Sequence, residues 1–129
     1  MAGMNEAIRQ LIAESGVLRR IAGRRSPTGY EVLELVFDWG ILRLTCDGDT
    51  DEISVDATRQ EGSELDEIGE DDSLADLLGK TIEQGWTMVN DRGYTDAFQL
   101  RCLDLATRSA SCRQFEVAAS AISVSRVSA

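Results

Sequence analysis

The spacing of apolar residues changes near residue 16, from a helical period to strict alternation. Met4, Ile8, Leu11 and Ile12, with Ala7, recur at the intervals of one helical face. Asn5 suits the N-cap, Glu6 the positive end of the dipole, and Gly16 the C′ position, so a helix is predicted over residues 5 to 15. From Val17 onward the pattern is that of strands. Val17 to Arg24 reads as one strand, and Ser26-Pro27-Thr28-Gly29 as a turn. Tyr30 to Asp38 is apolar on nearly both faces, the mark of a central strand. Ile41 to Cys46 alternates Leu42, Leu44 and Cys46 with Arg43 and Thr45. Asp47-Gly48 signals a hairpin, after which Ile53, Val55 and Ala57 face one way and Glu52, Ser54 and Asp56 the other.

Residues 58 to 72 form the one stretch of low hydrophobicity and predict a solvated loop. Ser73 to Asp76 matches a capping box, and Leu74, Leu77 and Leu78 mark a short helix ended by Gly79. Four more strands follow: Thr81 to Val89, Tyr94 to Leu105, Cys112 to Ala118 and Ile122 to Val127, with Asn90 to Gly93 as a four-residue turn. Nearly every link between strands is too short for a parallel crossover, so the sheet is expected to be largely antiparallel. These elements predict an α+β fold: a largely antiparallel sheet of about six to eight strands, with helices over one face. The 129 residues suit a single domain, 1–129.

Composition narrows the chemistry. The chain has no histidine, which removes Ser-His-Asp and Cys-His catalysis and histidine-ligated zinc. Cys46, Cys102 and Cys112 have no CxxC spacing and read as buried thiols, with Cys102 and Cys112 placed to face each other across a hairpin. Lys80 is the one lysine. No nucleotide-binding, nucleophile-elbow or zinc-protease motif occurs, so neither an enzyme nor a cofactor is expected. Without a secretory signal or an apolar membrane span, a cytoplasmic location is the expectation.

Charge then supplies the functional reading. The net charge is −10, with thirteen acidic side chains and one basic one, Arg59, between Asp47 and Asp76. Such a surface repels nucleic acid and selects basic partners. Glu64, Asp66, Glu67, Asp71 and Asp72 are the candidate contacts with a basic protein, and Leu65 and Ile68 among them suggest more than a solvating loop. Asp47, Asp49 and Asp51 have the spacing that opens an EF-hand loop and offer a calcium site, although Glu52 stands where that motif needs glycine. Trp86, Asn90, Gly93, Tyr94 and Asp96 gather around one hairpin, more simply for turn and packing reasons than as a pocket.

Gly79-Lys80, Trp86 with Asn90, Gly93 to Leu100 and Phe115 to Ile122 resemble a small bacterial family of uncharacterised proteins over roughly residues 78–127. That resemblance implies no catalytic residues. In size and acidity the chain is also similar to bacterial immunity proteins, which bind and block basic toxins. The leading expectation is a non-catalytic, immunity- or antitoxin-like binding module. Self-association as a homo-oligomer and calcium binding are the alternatives.

Overall fold

Alternation builds eight strands: β1 (Leu18–Ser26), β2 (Gly29–Phe37), β3 (Gly40–Asp47), β4 (Glu52–Thr58), β5 (Thr81–Val89), β6 (Thr95–Leu103), β7 (Ala110–Ala118) and β8 (Ala121–Val127). A single helical turn, α1 (Asp72–Ala75), precedes β5. The computed structural model describes residues 9–10, 13–14, 16–38, 40–47, 49–58, 65–68, 72–118 and 120–127. The helix predicted over residues 5 to 15 falls mostly outside them.

Both halves are antiparallel meanders, β1 to β4 and β5 to β8, and they join at two seams. At one, β8 takes up the edge of β2 where β3 turns away, with Tyr30 opposite Ile122. Gly29 permits this approach, because a Cβ there would collide with the Ile122 carbonyl. At the other seam Val17 bridges Thr81, and the Leu18 N–H donates to the Lys80 carbonyl at 2.8 Å. The result is a nearly closed barrel rather than an open sheet under helices.

The α+β expectation is therefore corrected. A sheet that curls until its first strand meets its fifth encloses its own apolar face, so no helical layer is needed to cover it. The inward rows supply one core: Leu33, Leu35 and Phe37 from β2, Leu42 and Leu44 from β3, Ile53 and Val55 from β4. Phe98, Leu100 and Cys102 from β6, with Phe115 and Ile122, meet them from the second meander. Phe98 and Phe115 pack as a tilted ring pair with centroids 6.2 Å apart. Leu74 and Leu77 close one end of the barrel as a plug. Gly79 ends that plug as expected, at φ +83°, a conformation other residues adopt only with strain.

Candidate functional site

The hairpin turns of the two meanders meet at one end of the barrel. The Ser120 N–H, in the turn between β7 and β8, donates to Asp51 Oδ1 at 3.1 Å. The Thr95 N–H, where β6 leaves its turn, donates to the Glu52 carboxylate at 3.3 Å. These two bonds bring the acidic tip of β3–β4 beside the turns of the second half. Asp47, Asp49 and Asp51 are all exposed there, as are Asp91 and Arg92 on the β5–β6 turn.

Asp47, Asp49 and Asp51 are not gathered around a common point in this structure. Asp47 Oδ1 accepts the Asp49 N–H at 3.0 Å, and Asp51 at φ +53° turns its carboxylate to Ser120. Among the described residues, no three carboxylates or thiols converge to hold a metal ion. Asp47 thus caps the turn that leads to its partner Glu52, while Asp51 ties that turn to the one between β7 and β8. Their charge also reaches Cys46. Burial, then Asp51, then Asp47, pushes its thiol pKa up.

The candidate contacts of the acidic segment separate. Glu64 and Asp71 lie outside the described residues, and Asp72 begins α1. Asp66 and Glu67 are exposed, but their backbone is not free. The Gly23 N–H donates to the Asp66 carbonyl at 3.0 Å and the Ile68 N–H to the Ile21 carbonyl at 2.9 Å, forming a short strip along the outer edge of β1. Arg20 Nη2 donates to the Leu65 carbonyl at 3.0 Å. Ile68 is only 8% exposed and belongs to the core. It anchors the segment from within and offers nothing to a partner, which removes one ground for placing the docking surface here. A groove of about 470 Å³ runs between Arg24–Arg25 and Asp66–Glu67, with charges of both signs on its walls.

Around the β5–β6 turn the side chains do structural work. Asn90 Oδ1 accepts the N–H groups of Arg92 and Tyr94, and its own N–H donates to the Tyr94 carbonyl. Gly93, at φ +87°, completes the reversal. Cys102 and Cys112 do not face each other. Cys102 pairs with Ser111 and Cys112 with Arg101, which puts the thiols on opposite faces of the sheet. Burial raises the Cys102 thiol to a pKa of about 12.

The end of the barrel opposite the hairpin turns holds charged groups that the sequence left unassigned. Arg113 projects inward from β7 and is 3% exposed. Its Nη2 donates to both oxygens of Asp76, each at 2.5 Å, and its Nη1 to the Cys112 carbonyl. Beside it Lys80 Nζ donates to Ser111 Oγ at 2.9 Å. Asp38 bonds the Arg19 guanidinium and the Val17 N–H, which together hold its pKa below the usual carboxylate value. On the outer face, Glu34 is 2% exposed and accepts from Arg43 Nε at 2.7 Å. Period two predicts both buried charges: Arg113 shares a face with Phe115 and Val117, and Glu34 with Val32 and Val36. Each pairs with a neighbour that holds it in place.

Among the described residues, no helix is long and apolar enough to cross a membrane. No curated protein and no solved structure matches the chain. A family model described as a family of unknown function matches residues 4–129, well beyond the stretch from 78 to 127 that first suggested kinship. The chain belongs to that family, DUF6334.

Proposed function

We propose that this protein is a non-catalytic binding module of immunity-like type, docking a basic protein through the hairpin end of its barrel. The observation that carries the reading is the meeting of turns there. Asp47, Asp49 and Asp51 stand exposed on one hairpin and Asp91 on its neighbour, joined through the Glu52–Thr95 and Asp51–Ser120 bonds. A negative potential spread over a rigid scaffold accelerates encounter with a basic surface and fixes its orientation. The acidic strip at Asp66 and Glu67 lies elsewhere, along β1, and adds to the net field without forming part of that contact.

The test is binding to the purified products of adjacent genes, assayed one at a time by biolayer interferometry at low and high salt. Reversal of charge at Asp49 and Asp91, neither of whose carboxylates accepts a hydrogen bond among the described residues, is expected to weaken a genuine complex by about tenfold or more, roughly 1.4 kcal/mol per decade. A complex whose affinity ignores both salt and these substitutions refutes the docking surface.

A further inference from the structure

We infer that the outer edge of β4 receives an extended basic segment of the partner as an added strand. The inference rests on the docking reading above and names its mode. β4 stands last in the hydrogen-bonded order of the sheet, and among the described residues it pairs only with β3. Its inward residues Ile53 and Val55 are held in the core, so the strand is a fixed template. Its outward residues Ser54 and Asp56 are exposed, and β4 begins beside the acidic tip at Asp47 to Asp51. A strand edge offers backbone donors and acceptors to any extended chain, and the side chains flanking it decide which chain is accepted.

The flanking charges select the occupant. Two copies of β4 laid edge to edge would bring carboxylates of one onto those of the other, which is destabilising. A segment with lysine or arginine at every second position places cations against Asp56 and the tip. The strand at the opposite end of the order differs: β5 has its start bridged to Val17 and a bulge between Ile82 and Gln84, devices that blunt an edge. The recognised ligand is thus an extended, alternately basic peptide, and β4 is the edge that takes it.

The experiment uses the full chain and three synthetic peptides in fluorescence anisotropy at low salt. One alternates lysine with threonine, the second is its fully N-methylated analogue, and the third carries glutamate in place of lysine. The first is expected to bind, and the second to bind at least about tenfold more weakly because it keeps the charges and lacks the backbone donors. The glutamate peptide is expected not to bind. Hydrogen exchange should show the amides of Ser54 to Asp56 gaining protection on binding. Asp56→Asn, nearly isosteric, is expected to weaken the lysine peptide several-fold without changing the melting temperature. Equal binding of the first two peptides, or protection confined to residues 47–52, overturns strand addition while leaving charge-driven docking standing. Failure of the lysine peptide to bind at all also overturns it, whereas the docking reading falls only on its own test with Asp49 and Asp91.

Discussion

Replacing Asp76 by alanine removes the counter-charge of an arginine that is 3% exposed on the inward face of β7. Removing one member of a fully buried pair costs about 3–5 kcal/mol, because the other charge stays in a poor solvent. The Asp76 side chain is 42% exposed, so water reaches the pair from that side and the expected cost falls to about 2–3 kcal/mol. Arg113→Met is the contrasting substitution. It returns Asp76 to water and fills the site with an apolar chain of similar length. The loss is chiefly the bond to the Cys112 carbonyl, about 1 kcal/mol.

The two variants should therefore order as Asp76→Ala well below Arg113→Met, and the double variant should be more stable than Asp76→Ala alone. A domain of this size shifts its melting temperature by about 3–5 °C per kcal/mol. The single variants should separate clearly by differential scanning calorimetry, and urea unfolding supplies the free energies for the cycle. The reasoning fails if Arg113→Met is as damaging as Asp76→Ala, or if the double variant is the least stable of the set. Either result would mean that the guanidinium stabilises the barrel end by packing and backbone bonds, with little dependence on its partner.

Much of this fold is legible from period two alone, because a half-buried strand must alternate. The rows Leu42–Leu44, Ile53–Val55 and Phe98–Leu100–Cys102 all point inward where alternation puts them. The turns are legible for a related reason: Asn90 and Gly93 carry the local bonds and backbone conformation that a reversal needs. Closure is not legible. It depends on Val17 meeting Thr81 and on Tyr30 meeting Ile122, pairings of residues distant in sequence that no local pattern encodes. Ile68 shows the same limit in miniature. One apolar residue in an acidic run has no period, so its burial follows only from the strip it forms along β1. For Asp47, Asp49 and Asp51 the spacing was legible and the bonds were not, since Asp47 accepts an N–H of its own turn while Asp51 reaches a turn of the other meander, Ser120 being distant in sequence.

Ile68→Ala should cost about 2–4 kcal/mol and raise hydrogen exchange at Gly23 and Ile68 first, if the acidic segment is anchored from the core. Arg108, exposed at φ +63° between β6 and β7, should tolerate glycine with a gain of about 0.5–1 kcal/mol; a loss in thermal unfolding would contradict the strain. Cys102, held at a pKa of about 12, should carry on the order of a thousandfold less thiolate than an ordinary cysteine at pH 8, and its labelling by Ellman's reagent should follow global unfolding. Asp38 has its pKa lowered from 3.8, first by the bond from Arg19 and then by that from Val17. A carboxyl with a depressed folded pKa binds fewer protons when folded than when unfolded, so its contribution to stability is present above the unfolded value and is lost as pH falls through the folded one. Between neutrality and about pH 5 the group is ionised in both states, and its contribution is constant. Wild type and Asp38→Asn should therefore differ by a constant amount in urea unfolding over that range, and the difference should shrink once the pH drops below about 4. A gap that begins to close near neutrality would assign the acid sensitivity to another group. A gap that persists to the lowest pH at which the fold survives would show that the Arg19 and Val17 contacts do not depend on the charge of Asp38.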